Sequence, residues 1–244
     1  MKSARHNTLH LLLVLMLMGF AMFNLGLAQT TLRIGTPNDK RPSIVAAQRV
    51  LQVAYARLHI QVEFINAPPK RVDADFKNGV IDGMSYRYSA APDPLVVLIQ
   101  TPITYDDLVV FSAGTNLKVE GFPSLRPYTV GYIRGTNFLE TQLIGISTET
   151  APTSESMLRK LVAGRTNLAV DARSSLCVAQ QLGLKKIYVI EPALAHLPGY
   201  FVLQKKHQAQ AQPLENILKK MEKEGEIQKI LTLATKEFMA KCGV

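Results

Sequence analysis

The stretch Asn78–Phe111 reads NGVIDGMSYRYSAAPDPLVVLIQTPITYDDLVVF, and its punctuation decides the fold class. Asn78-Gly79 closes the short helix expected over Arg71–Lys77. A buried-strand signal follows, then a polar loop broken by proline. Two β-rich runs come next, Leu95–Ile99 and Leu108–Phe111.

Working outward, the N-terminal side alternates strand and helix. Thr31–Gly35 is a short β-rich run, followed by the loop Thr36–Pro42. Ile44, Ala47, Leu51, Ala54, Tyr55 and Leu58 then fall on one helical stripe. Ile60–Ile65 alternates as a strand and stops at Pro68-Pro69. Such alternation predicts an α/β domain with a largely parallel sheet.

On the C-terminal side, the polar run Ser112–Asn116 suits a crossover, and a second α/β pattern begins. Strands are expected at Tyr128–Ile133, Gly145–Thr148, Leu168–Val170 and Lys186–Ile190. Helices are expected at Asn137–Ile144, Glu155–Ala163 (capped by Thr153 or Ser154) and Arg173–Leu182. The tail reads as a strand, Tyr200–Leu203, and a polar turn, Gln204–His207. Two amphipathic helices close it, Pro213–Glu224 and Glu226–Ala240, parted by Gly225.

Residues 1–28 read as a secretory signal peptide. Lys2 and Arg5 form its positive end, Leu9–Leu27 its apolar run, and Gly26-x-Ala28 its small-residue cleavage site. The competing reading is a retained anchor. The run is nearly long enough to span a bilayer, but no stop-transfer charges follow it. Cleavage would remove both cations and lower the formal charge of +9 by two. No Arg-rich block or aromatic-interleaved basic stripe accompanies the excess, which speaks against nucleic acid. The lysines of the last two helices lie near glutamates and read as a solvated face. The two cysteines, Cys177 and Cys242, stand outside any metal-ligand spacing. Two readings are open: a disulfide tying down the C-terminus, which an oxidising compartment permits, or a buried Cys177 and a free Cys242.

Taken together, these elements resemble solute-binding protein family 3, periplasmic binding proteins that serve amino-acid importers. The frame Gly79-x-x-Asp82-Gly83 matches the family's first-lobe strand. Lys206-His207, Leu214, Leu218, Met221, Gly225, Ile227 and Ile230 fill the places of its tail. The resemblance runs over residues 31–240. It implies an α/β, two-lobed periplasmic-binding-protein fold, each lobe a mixed, mostly parallel sheet flanked by helices. A two-strand hinge would cross near Phe111–Gly114 and Tyr200–Gln204. Lobe one would be residues 29–112 and 204–244, lobe two residues 113–203. One departure stands out. The family's ligand loop reads Thr-x-x-Arg, whereas this chain has Ser85-Tyr86-Arg87-Tyr88-Ser89-Ala90-Ala91-Pro92.

Four places map to the cleft that the resemblance implies. In the loop Thr36–Arg41, the residues Asn38, Asp39 and Arg41 are either polar ligand contacts or plain surface. In Ser85–Ser89, Ser85 and Tyr86 would line the ligand. Arg87 has two roles open to it: a substitute carboxylate clamp, or a solvent-facing side chain beside packed tyrosines. Arg134-Gly135-Thr136 opens a helix and is either an anion site or ordinary capping. Asp171 ends a strand and either meets a ligand ammonium group or pairs with Arg173.

Enzyme signatures are missing from the sequence: no Gly-x-Ser-x-Gly, no His-Glu-x-x-His and no phosphate loop. The resemblance therefore implies a non-enzymatic, monomeric periplasmic protein without cofactor or metal. It would capture a small polar solute, amino acid or organic acid, by hinge closure for an inner-membrane ABC permease. The alternative is a sensor or accessory binding protein, or a small secreted dehydratase-like lyase on the same fold.

Overall fold

The computed structural model describes residues 31–38, 40–88 and 94–242. The expected signal peptide, Asp39 and the end of the Ser85–Pro92 loop lie outside the described residues.

Nine strands and seven α-helices follow one another in the described chain. The first half carries β1 (Thr31–Pro37), α1 (Pro42–Arg57), β2 (Gln61–Ala67), α2 (Pro69–Lys77), β3 (Gly83–Arg87), β4 (Val96–Leu98) and β5 (Thr104–Ser112). The second half carries β6 (Val130–Ile133), α3 (Asn137–Gln142), β7 (Thr148–Ala151), α4 (Ser154–Val162), β8 (Leu168–Ala172) and α5 (Ser175–Gln181). The chain closes with β9 (Tyr188–Gln204), α6 (Gln208–Lys223) and α7 (Glu226–Ala240).

The strand order is β2-β1-β3-β9-β5-β8-β6-β7, with β4 also on β9. Parallel pairing joins β1 to β3 and β6 to both β7 and β8. The antiparallel pairs come from β9 on β3, β4 and β5, and from β5 on β8. β9 is thus common to two halves. Its end, Tyr200–Leu203, faces β3, and its longer first part faces β5.

Each half has its own core. In lobe one, Leu32 and Ile34 of β1 pack with Val50, Leu51 and Tyr55 of α1, Phe201 and Leu203 of β9, and Leu214, Leu218 and Ile227 of the tail helices. In lobe two, the period-2 geometry of a strand sends alternate residues of β5 to opposite faces. Leu108 and Val110 join Val130, Leu139, Leu168 and Val170 on one face. Val109 and Phe111 join Met157, Leu158 and Leu161 of α4 on the other. Full burial of each such side chain is worth about 1.5–3 kcal/mol.

Local chemistry explains most boundaries. Pro42 opens α1, where its missing N–H is no loss. Thr153 caps α4 in a reciprocal box with Ser156. Several boundaries differ from expectation, among them the start of β5 at Thr104 rather than Leu108. β7 starts at Thr148, because Val130↔Thr148 sets its register on β6 and Gly145 is a turn residue with φ +79°. α6 begins at Gln208, so Pro213 lies inside it at the cost of one intrahelical hydrogen bond. The expected strands Lys186–Ile190 and Tyr200–Leu203 are the two ends of the single strand β9. Pro192 does not interrupt it, because the ladder with β5 is irregular there, between the pairs Leu108↔Ala195 and Val110↔Ile190.

The passage Ile99–Ile103 joins β4 to β5. β5 pairs with β8 and β9, while Ile99 and Ile103 pack in the core that holds β1 and α1. The buried Glu215 of α6 fixes this passage by accepting from Gln100 N at 2.9 Å and Thr101 Oγ1 at 2.7 Å. Among the described residues, no helix is long and apolar enough to cross a membrane.

Candidate functional site

The parallel strands β1, β3, β6 and β8 end toward a common crevice, as strand ends do in open α/β sheets. A cavity of about 210 Å³ lies there. From lobe one it is lined by the β1–α1 turn (Pro37, Arg41), by Asp73 of α2 and by Met84, Tyr86, Arg87 and Tyr88 at the end of β3. From lobe two it is lined by Leu108, by Gly135–Leu139 and by Asp171.

Asp171 is 5% exposed, and its carboxylate is held from within lobe two. Ser154 Oγ and Ser175 Oγ donate to Oδ2 at 2.7 and 2.6 Å, and Ala172 N donates to Oδ1 at 2.8 Å. Arg173 does not neutralise it. The guanidinium instead pairs with Asp107 at 3.3 Å and with Glu191.

Lobe one's face is aromatic and internally tied. Arg87 Nη1 donates to Asp73 Oδ1 at 2.7 Å, so both residues reach the cavity as a pair. The Tyr86 and Tyr88 rings meet edge-on at 5.0 Å, and Tyr88 lies 6.0 Å from Phe138 of α3, carrying aromatic contact across the crevice. Both tyrosine hydroxyls point behind the cavity wall, to Asp106 Oδ2 at 2.6 and 3.3 Å. Ser43 Oγ donates to the same oxygen at 2.7 Å. Burial pushes the Asp106 carboxyl above its ordinary pKa, against the opposing pull of Arg41 and of the Tyr86 and Ser43 hydroxyls. Burial, and then the Asp106 charge, raise both tyrosines.

Two glycines make this wall possible. A Cβ on Gly83 would come within 2.6 Å of the Phe201 ring. On Gly199 it would meet the Tyr86 ring at 2.6 Å and Thr104 Cγ2 at 2.7 Å. The bare backbone of β9 is therefore the seat of Tyr86.

Of the sequence-derived candidates, Arg41, Tyr86, Arg87, Gly135, Thr136 and Asp171 come together around the cavity. Asn38, Ser85 and Arg134 are not on its lining. Asn38 is exposed, and its N–H donates to Ala67 O at the end of the neighbouring strand β2. Ser85 is fully buried, and its hydroxyl has no partner among the described residues. Arg134 is exposed and donates to Thr150 Oγ1 at 3.3 Å. The backbone N–H groups of Gly135 and Thr136 are already used, by Glu140 Oε1 and Ile133 O, and α3 has only six residues. These two residues shape the wall without offering those donors to a ligand.

Sequence reasoning missed Asp73, Phe138 and Asp106. The adjacent acids Asp106-Asp107 carried the one usable signal. Neighbours on a strand face opposite ways, so one of the two must point inward. Asp107 is the outward member, bonded to His196 Nδ1 at 2.7 Å. Among the described residues, no group of three or more His, Cys, Asp or Glu is placed to hold a metal ion.

A scan of family profiles matches none. An uncharacterized protein of Shewanella oneidensis is 29% identical over 189 residues, covering 73% of this chain and 72% of that protein. Among solved structures, the ligand-binding core of GluR0, in complex with L-glutamate, matches with TM-score 0.71 and 12% identity over 85% of this chain and 99% of that one. The ancestral amino acid-binding protein AncCDT-1, a precursor of cyclohexadienyl dehydratase, matches at 0.65 and 19% identity, over 84% of this chain and 95% of that one. A histidine kinase sensor domain with similarity to periplasmic binding proteins matches at 0.65 and 16% identity, over 83% and 94%. The chain has the two-lobed type 2 periplasmic-binding-protein fold, in a divergent form.

Proposed function

We propose that this chain is a secreted, periplasmic binding protein that captures a small polar solute between its lobes. The observation that carries the reading is the two-sided cavity, with the cationic residues Arg41 and Arg87 and the acidic residues Asp73 and Asp171 on its lining. Such a wall suits a solute bearing both charges, of amino-acid character. The volume of about 210 Å³ is below the roughly 300–1,000 Å³ of sites for drug-sized ligands, which favours one amino acid over a peptide. Asp171 would take the cationic end. Arg41, or Arg87 released from Asp73, would take the anionic end. Tyr86, Tyr88 and Phe138 would cover the remainder.

The hinge lies at Thr101–Thr104 and Gly199–Tyr200 in this reading, which makes lobe two residues 104–199. Solute favours the closed form only by its differential affinity for that form. The closed form would be presented to a membrane permease of the ABC type or to a sensor. Neighbours that bind amino acids, and the sensor-domain neighbour, support this reading. The dehydratase precursor keeps a lyase on the same site as the second reading.

Thermal denaturation against amino acids, organic acids and polyamines tests the proposal. A solute at 100 times its Kd raises stability by about 2.7 kcal/mol. No upward shift in Tm with any of these compounds would remove the binding reading. Turnover of a stabilising compound, followed by NMR, would move the assignment to the lyase.

A further inference from the structure

Helix α7 belongs to lobe one by its packing. Ile227 at its start enters the lobe-one core, and two ion pairs, the second bidentate, fasten it along α1. Arg57 meets Glu226 at 2.8 and 2.8 Å, and Arg49 meets Glu237 at 3.2 and 2.6 Å. These pairs hold opposite ends of α7, so the helix is fixed along its length.

The end of α7 is attached elsewhere. Cys242, one residue beyond its C-cap Lys241, is disulfide-bonded to Cys177 of α5. Cys177 is 1% exposed, and its neighbours Leu176, Val178 and Ala179 all pack in a lobe-two core. The Cα atoms of the bridge are 5.3 Å apart, within the usual span of a disulfide. Gln181 Nε2 of α5 adds a hydrogen bond of 3.3 Å to Lys241 O. A helix seated in lobe one is thus covalently bound, with almost no slack, to a helix of lobe two.

We infer that the Cys177–Cys242 bridge is a third interlobe connection, with α7 as its strut, and that it sets the pivot about which the lobes move. The other two connections, the passage into β5 and β9, are adjacent strands of one antiparallel pair. A two-strand ribbon both bends and twists. A tether from a separate element removes the twist and limits opening to rotation about the line joining ribbon and bridge. The inference rests on the two-lobed fold and not on the identity of any solute.

The test measures the interlobe distance distribution of the solute-free protein by electron–electron resonance. Labels are attached by non-cysteine chemistry at exposed Lys77 of lobe one and exposed Gln142 of lobe two. Mass spectrometry under non-reducing conditions first establishes the bridge; free thiols in the purified protein overturn the inference. Cys242→Ser is expected to broaden the distribution and extend it to longer distances. Because that variant also loses ordinary stability, a second one keeps the bridge and relaxes only the tether: a flexible insertion of about six Gly and Ser residues between Lys241 and Cys242. Its distribution is expected to match that of Cys242→Ser while its Tm stays near wild type. An unchanged distribution in the insertion variant overturns the inference and leaves the disulfide a purely stabilising cross-link. Failure of every solute to bind would leave this result standing, so the two proposals fall separately.

Discussion

The two faces of the crevice are built by different means. Lobe one's face is a packed wall: Tyr86 rests on the bare backbone of Gly199, Tyr88 leans toward Phe138, and the tyrosine hydroxyls are gathered behind by Asp106. Two of its charged residues, Arg87 and Asp73, are matched to each other, and Arg41 stands beside them on the lining. Lobe two's face is a held charge: Asp171, oriented by two serine hydroxyls and a backbone N–H. A wall made by packing tolerates changes of charge but not of volume. A charge held by hydrogen bonds tolerates neither loss of the acceptor nor its replacement by an apolar group.

The largest effect should come from crowding the wall. Gly199→Val brings a Cβ to 2.6 Å from the Tyr86 ring and 2.7 Å from Thr104 Cγ2, and is expected to destabilise by about 1–3 kcal/mol or more. Chemical denaturation measures this directly. A loss below the lower figure would mean that Tyr86 is loosely seated and the contrast between the faces is overdrawn.

Asp171→Ala should act almost as strongly, through a different cause. It strips the partner from two serine hydroxyls and a backbone amide beside the cavity. The expected cost is roughly 1–3 kcal/mol, together with loss of any solute-induced Tm shift. Asp171→Asn keeps an acceptor, so it should recover most of the stability and none of the binding. Recovery of both would show that the charge is structural.

A pH series sharpens the same contrast. The folded state raises the Asp106 carboxyl above its unfolded value, so this group contributes most stability below the unfolded carboxylate pKa. That contribution is lost as pH rises through the folded value. Asp82 and Asp107 run the other way. Burial pushes both up, but Lys206, His207 and the Arg33 amide outweigh it at Asp82, and His196 and Arg173 do so at Asp107. Their contribution is present above the unfolded pKa and lost as pH falls through the lowered one. Asp106→Asn should therefore gain in Tm relative to wild type as pH rises across the acid range, then level off. Parallel curves at every pH would show that burial of Asp106 is incomplete.

Arg87→Ala should have the smallest effect on stability. The pair with Asp73 is about one-third exposed on each side, and pairs of that kind are worth about 0.2–1 kcal/mol. The useful readout is affinity for a stabilising solute found in the thermal screen. Unchanged affinity would assign the anionic end to Arg41. A loss well beyond the change in stability would show that Arg87 leaves Asp73 to meet the solute.

Much of the first lobe was legible in the chain because its signals are local. The stripe Ile44, Ala47, Leu51, Ala54, Tyr55 forms the buried face of α1, and Asn78-Gly79 does end α2. The turn chemistry of Gly225 also separates the last two helices as read. The site was less legible. Arg41, Tyr86 and Asp171 reach the cavity because strand ends gather there, a property of the fold class. Ser85 lies off the lining, between Met84 and Tyr86 which are on it, because neighbours on a strand face opposite ways and the sequence alone did not give the register. Asp73 lies on α2, and no local signal tells which turn of a helix will overlook a crevice.

The sequence by itself determined the α/β alternation, the order of elements and the apolar faces that had to be covered. Periodicity and turn residues are local, and burial of those faces follows from them. Only the tertiary structure decided that β9 pairs with both β3 and β5, that Asp106 faces inward and Asp107 outward, and that Arg87 is matched to Asp73. It also decided that Cys177 and Cys242, 65 residues apart in sequence, meet, which brings the end of α7 to α5. Each of these depends on strand register and on the approach of distant elements, and pairwise geometry of that kind is set by packing, not by neighbours along the chain.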